Sequence, residues 1–274
     1  MGAPRLNRLS AHGVTFLGDA GRPSGVAFAF TERTGGVSGG PWSSLNLGAF
    51  CGDDPGHVRE NRRRALYALG AGGLLGRLVS PRQVHGDRVV VVSSATDAAV
   101  SLAQAEAEAG ADAIVCCARG VPVLLCFADC VPVLLYDPVH HAAGVVHAGW
   151  KGTVARIAAQ TIARMGEEFG TAASDVLAGI GPSISADCYT VGAEVAEQFR
   201  AAFPAHAEQL VQERDGAIHL DLWAANRVQM VAAGVLAQNI DQADICTSCD
   251  RNFFYSYRAD GGRTGRLAAV MELR

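Results

Sequence analysis

Residues 121–153 constrain this chain more than any other stretch. They read VPVLLCFADCVPVLLYDPVHHAAGVVHAGWKGT, apolar runs rich in Leu and β-branched residues that are interrupted at Asp129-Cys130, at His140-His141, and at His147 with Gly149-Trp150-Lys151-Gly152 behind it. Apolar runs of this length bounded by turn residues read as buried strands. A thiol and an imidazole at the ends of neighbouring strands meet in space without being close in sequence, so Cys130 and His147 are expected together at one edge of a sheet.

With 274 residues the chain is long enough to bury a proper core, and it reads as one domain over residues 1–274. Charged residues make up 18% and the formal net charge is −4, so there is no dense basic face of the kind that nucleic acid or an anionic membrane selects. The eight cysteines sit in a chain far too large for a disulfide-stapled scaffold, several of them inside apolar runs where a reduced thiol is an ordinary core residue. The first 18 residues contain no apolar core of signal-peptide length, and no segment approaches a membrane span. A reducing cytoplasm is the expected location.

Residues 25–30 read as a short strand leading into TERTGGVSGG, where the density of glycine precludes a regular element, and the irregular path continues through PWSSLNLG. Asp53-Asp54-Pro55 starts a helix that runs to about Gly70. His85 lies in a turn before the strand 89–92. Residues 97–111 are rich in Ala and Glu and read as a variable helix or loop. Residues 113–117 and 121–127 are expected to pair around a turn at Gly120, with strands 131–136 and 142–146 following. The spacing of Ile157, Ile162 and Met165 predicts one helix over 153–169, which puts Lys151 just before an amino terminus that would favour an anion. A strand at 176–180, a helix at 193–202, a helix at 223–233 capped by Asp221 and a last strand at 267–273 complete the pattern. Interleaved strands and helices predict an α/β or α+β fold with a mixed β-sheet core and flanking helices.

Three kinds of chemistry compete. Cys246-x-x-Cys249 is half of a zinc knuckle, and the chain has no second such pair, so packing or loop stabilisation is the expected role. No glycine-rich stretch has the ending of a phosphate loop or leads directly into a helix, which disfavours nucleoside triphosphate and nicotinamide chemistry. The set Cys130, His147 and His85 suits either a thiolate nucleophile activated by imidazole or three zinc ligands with a fourth position open. Spacing leaves both readings open.

Eight segments in order carry a resemblance: TERTGGVSGGPWSSLNLG, GDDPGHVRENR, RQVHGDRV, PVLLCFADCVPVLLYDP, AGVVHAGWKGT, AGIGPSISADCYTVG, HLDLWAAN and CTSCDRNFFYSYRADGGRTGRLA. Together they resemble the YfiH-like purine nucleoside phosphorylases, a family once called multicopper polyphenol oxidases or laccases and linked in part to peptidoglycan editing. The resemblance implies a CNF1/YfiH-like fold and a zinc site on His85, Cys130 and His147. It also implies phosphorolysis of adenosine, inosine and S-methyl-5'-thioadenosine to the free base and a (methylthio)ribose 1-phosphate, together with adenosine deaminase activity. Lys151 stands where the family often has arginine, keeping the charge without the bidentate fork.

Within that expectation Arg33, Lys151 and Arg258 are the candidate phosphate cations, Gln83 and Asn46 the candidate hydrogen-bonding partners of sugar or base, and Asp129 a candidate for orienting a ligand or moving a proton. The expected partners are a small-molecule nucleoside and phosphate, without nucleic acid or membrane, in a monomer or weak homo-oligomer. Two other readings stay open. One is a copper-dependent polyphenol oxidase, for which eight scattered histidines are a poor supply. The other is a cysteine hydrolase of Cys130 and His147 acting in peptidoglycan editing.

Overall fold

The computed structural model describes residues 6–19 and 25–274; the first five residues of the amino-terminal segment read above lie outside them. Two sheets carry the architecture. A five-stranded sheet has the order Asn7–Ala11, Val14–Gly18, Val26–Thr31, Leu267–Leu273, Val123–Phe127, antiparallel throughout. A six-stranded mixed sheet has the order Ile240–Gln242, Leu177–Ile180, Val131–Asp137, Ala142–Ala148, Ala113–Cys116, Val89–Val92. A small sheet of Thr190–Val191, Ala217–Leu220 and Val211–Arg214 stands apart.

Side-chain alternation along the strands sorts the apolar residues into layers. Leu125, Phe127, Ala269 and Met271 on one sheet and Ile114, Leu134, Tyr136 and Val145 on the other share one core cluster between the sheets. Val115, Val131, Val133 and Val146 face the opposite way and bury Ile157, Ile162, Met165, Phe199 and Met230 from the flanking helices. On the far side, Leu124, Ala268 and Val270 cover Leu66 of the Pro55–Ala68 helix and Leu69 just past its end. Strands 131–137 and 142–148 are thus buried on both faces, which is why their sequences run apolar without alternation.

Local signals hold at the helix starts. Asp54 caps the helix Pro55–Ala68 by accepting from the His57 backbone N–H at 3.0 Å, with Pro55 at its first position. Asp221 caps Leu222–Ala232 through Ala224 at 2.9 Å. Residues 97–109 form a regular helix capped by Thr96.

Three expectations need correction. Ala113–Cys116 does not pair with Val123–Phe127: the two strands lie in different sheets, and the Gly120 turn, at φ 68°, carries the chain from one layer to the other. Both strands are apolar on both faces, so their sequences do not reveal which neighbour each takes. The helix over 153–169 is two helices, Trp150–Val154 and Ile157–Phe169, separated at Arg156, which adopts a left-handed conformation at φ 63°. There the guanidinium stacks 3.8 Å over Phe203 and donates to the Ala202 carbonyl, tertiary contacts that no local pattern announces. Finally, strands 131–137 and 142–148 occupy the middle of their sheet, so Cys130 and His147 lie at the end of central strands and not on a sheet edge.

Candidate metal centre and cavity

Cys130 immediately precedes the strand Val131–Asp137, and His147 is the sixth residue of the neighbouring strand, in register with Pro132. The third member arrives from a turn. His85 sits at φ 59°, and Asp112 accepts the backbone N–H groups of Val84, His85 and Gly86 at 3.1, 3.0 and 2.8 Å. The same carboxylate is 2.8 Å from His147 Nδ1. One fully buried aspartate therefore holds two of the three groups in place, and it leaves His147 Nε2 as the ring nitrogen for the cluster.

One ligand atom each from His85, Cys130 and His147 lies within 4.8 Å of the others. The two imidazoles meet edge to face, with centroids 4.9 Å apart. Gly149 backs the cluster: a Cβ there would stand 3.1 Å from Cys130 Sγ and 3.1 Å from His85 Cδ2, so no larger residue passes behind it without displacing a ligand. The electrostatics suit the geometry. Burial opposes ionisation of Cys130, but the His147 charge and hydrogen bonds from His147 and His85 outweigh it and bring the thiol down to about 6. Burial likewise works against a charged His147, yet the Cys130 thiolate and Asp112 hold it up at about 9. Asp112 itself stays low because His147 and the backbone N–H groups of Gly86 and Val84 offset its own burial. Two imidazoles and an ionised thiol converging within a few ångströms form a candidate metal site of the borderline-soft kind.

The cluster opens into a cavity of about 620 Å³. Phe50, Trp150, Tyr189 and Tyr257 supply aromatic walls, and Arg62, Arg258 and Arg266 supply positive charge. Of the residues expected at the site, Gln83, Asp129 and Arg258 lie on this wall beside His85, Cys130 and His147, whereas Arg33, Asn46 and Lys151 do not. Gln83 spends both ends of its amide on the Cys126 backbone, at 2.6 and 2.8 Å. Asp129, left-handed at φ 85°, accepts from Thr247 Oγ1 at 2.7 Å and from the Arg258 backbone N–H at 2.6 Å, tying the carboxy-terminal loop to the end of the strand. Arg258 Nη1 donates to the Thr190 carbonyl at 3.0 Å, with the guanidinium 5.0 Å over the Tyr189 ring.

The other three residues act away from the wall. Arg33 donates to the Ser43 and Arg251 carbonyls at 2.9 Å each and stacks on Tyr255. Asn46, fully buried, accepts from the backbone N–H groups of Gly48 and Arg266 at 3.1 and 2.8 Å, and so positions two residues that do line the cavity. Lys151 is exposed in the first turn of the short helix, its Nζ 5.6 Å over the Trp150 ring. Sequence reasoning passed over Asp112, Arg62, Arg266 and the aromatic walls. A lone acid before a strand, one arginine on a polar helix and another in a loop carry no spacing signal; only the aromatic content of the carboxy-terminal FFYSYR stretch pointed this way.

Residues 27–274 match the family described as multi-copper polyphenol oxidoreductase laccase. A purine nucleoside phosphorylase of Bacteroides thetaiotaomicron is 39% identical over 245 residues, covering 89% of this chain and 90% of the relative. Adenosine deaminase RL5, from an unknown prokaryotic organism, is 38% identical over 240 residues, covering 87% and 90%. The crystal structure of YlmD from Geobacillus stearothermophilus superposes with a TM-score of 0.87 at 35% identity, over 99% of this chain and all of that one. With the whole fold and about nine-tenths of the length in common, the chain belongs to the multi-copper polyphenol oxidoreductase laccase family, alongside the YfiH and YlmD proteins.

Proposed function

We propose that this chain is a zinc-dependent purine nucleoside enzyme of a single domain, cleaving adenosine, inosine and S-methyl-5'-thioadenosine with phosphate and deaminating adenosine. The observation that carries the reading is the opening of the His85, Cys130 and His147 cluster into a cavity with both aromatic and cationic walls. Relatives named purine nucleoside phosphorylase and adenosine deaminase support the substrate class. A zinc ion held by the three side chains would supply Lewis-acid polarisation and a nucleophile usable at neutral pH.

The chain's own residues account for binding. Phe50, Tyr189 and Tyr257 offer flat apolar faces for a purine. Arg62, Arg258 and Arg266 line the same cavity and offer positive charge to a phosphate dianion. In phosphorolysis a phosphate oxygen bonds to the anomeric carbon as the bond from that carbon to the base nitrogen breaks. The arginines hold the incoming anion, and the base leaves with the bond electrons and takes up a proton. Asp129 serves this site as a positioning residue, since both its carboxylate oxygens are committed to Thr247 and to the Arg258 backbone.

Incubating zinc-loaded protein with inosine and phosphate should release hypoxanthine and ribose 1-phosphate. Absence of release, with adenosine and S-methyl-5'-thioadenosine equally untouched, would sink the proposal. The copper oxidase reading is weakened by supply: among the described residues, only His85 and His147 gather at Cys130. One observation favours a cysteine hydrolase: Cys130, His147 and Asp112 form a thiolate, imidazolium and carboxylate series. A second imidazole against the same thiol is superfluous for that chemistry and is accounted for by a metal. Covalent trapping of a peptidoglycan-derived acyl group on metal-free protein would revive it.

A further inference from the structure

A second sulfur cluster lies outside the cavity. Cys188, Cys246 and Cys249 bring their three sulfurs within 4.8 Å of one another, although the first stands 58 positions before the second. The backbone builds this approach deliberately. Ser183 and Cys246 form an isolated parallel bridge, with Ser183 N–H donating to the Ile245 carbonyl at 3.2 Å and Thr247 N–H to the Ser183 carbonyl at 3.1 Å. That pairing brings the Ser185 N–H to 3.3 Å from Cys246 Sγ. A turn closed by Asp250 N–H on the Cys246 carbonyl, at 3.0 Å, returns Cys249 to the same spot. On the other segment, Cys188 N–H donates to the Ser185 carbonyl at 3.1 Å, and the resulting turn sets its sulfur 3.3 Å from Cys249 Sγ.

We propose that Cys188, Cys246 and Cys249 form a second metal site, which takes a zinc ion on three thiolates with its fourth position open to solvent. The donor spacing fits. With zinc–sulfur bonds of about 2.3 Å, sulfurs around a tetrahedral ion stand about 3.8 Å apart, and three sulfurs already lie inside a 4.8 Å limit. Three thiolates at one point repel each other unless a cation holds them, and soft sulfur donors select zinc over hard cations such as magnesium or calcium. The Ser185 N–H aimed at Cys246 Sγ stabilises sulfur in its ionised, ligating form.

Two alternatives account for less. Packing explains buried thiols, whereas Cys249 is exposed and the other two are only partly covered. A disulfide uses two of the three sulfurs and leaves both the third and its N–H donor without a purpose.

The site's position gives it a consequence. Cys188 adjoins Tyr189, and the segment after Cys249 delivers Tyr257 and Arg258 to the cavity wall. Both segments also meet the end of the central strand, where Ile184 N–H donates to the Asp129 carbonyl at 3.0 Å while Thr247 and Arg258 bind the Asp129 carboxylate. A zinc ion on the three cysteines therefore clips together the two loops that form one side of the cavity. The clip stands on its own geometry, independently of what the cavity binds.

The test is metal stoichiometry on the full chain, purified under reducing conditions, stripped, and reloaded with zinc without oxygen. Wild type should bind about two zinc ions per chain, Cys130→Ala about one, Cys249→Ser about one, and the double variant none. In Cys130→Ala, cobalt(II) in place of zinc should give thiolate charge-transfer absorption about threefold that of a single-thiolate site, and Cys188→Ser should diminish it. Cys249 is on the surface, so its replacement leaves the core intact, and circular dichroism checks this. Folded Cys130→Ala with no zinc would overturn the site. So would zinc that persists unchanged in Cys130→Ala after Cys249→Ser is added.

Discussion

The two cysteine-bearing clusters of this molecule are built in opposite ways. His85, Cys130 and His147 sit at the end of two central strands, over a fully buried aspartate that grips one ligand ring and three backbone N–H groups of the turn carrying another. Cys188, Cys246 and Cys249 sit on two turns, with one exposed sulfur and a single backbone N–H directed at the set. The first is supported from behind by side-chain hydrogen bonds and faces a cavity. The second is held by the backbone hydrogen bonds of its own two turns and lies towards the surface. Support of this kind behind the donor atoms marks the cavity cluster as the candidate for chemistry and the surface cluster as the candidate for holding loops together.

The contrast breaks first at Cys130. Cys130→Ala removes the thiolate, and if about 4 kcal/mol of charge stabilisation goes with the metal, turnover of inosine should fall about a thousandfold. Steady-state assays on zinc-loaded variants check this, and Cys249→Ser should leave far more activity than Cys130→Ala. Asp112→Asn comes next. It weakens the hold on His147 and on the turn at 84–86, and it should lower zinc affinity at the cavity by about 10- to 100-fold in chelator competition; no carboxylate plays this part at the three-cysteine cluster.

Gly149→Ala probes space alone, because its φ of −70° suits any residue while the new Cβ presses on Cys130 and His85. Zinc affinity at the cavity should drop about tenfold or less, with the melting temperature nearly unchanged. The smallest effect is one of reactivity. In metal-stripped protein the Cys130 thiolate should disappear as the pH falls through about 6, because its folded value is depressed, so alkylation should show an acid midpoint there. In His147→Gln the midpoint should move up towards the ordinary thiol range, as followed by peptide mass spectrometry.

Much of the scaffold was legible from local chemistry. Asp54-Pro55 and Asp221 announced their helices because a cap needs only its own next few residues. The apolar stretches at 123–127, 131–137 and 142–148 announced strands for the same reason. Pairing was not legible: strands buried on both faces carry no preference that separates one apolar neighbour from another, so the sequence pattern pairs 113–117 with 121–127, which the fold puts in different sheets. The break at Arg156 depends on Phe203 and Ala202, more than forty residues away, and no window of the sequence contains them together.

The sites divide along the same line. Sequence alone determined which residues were chemically capable: a cysteine and a histidine interrupting buried strands, a histidine in a turn, and a Cys-x-x-Cys pair lacking partners. Tertiary structure decided which of them meet. It placed Asp112 behind His147, committed Asp129 and Gln83 to backbone N–H and carbonyl groups, drew Arg62 and Arg266 into the cavity wall, and supplied Cys188 to the pair at 246 and 249. The physical reason is range. Capping, turn formation and strand propensity act between residues a few positions apart, whereas a ligand set depends on distances of a few ångströms between segments that only the packed sheets bring together.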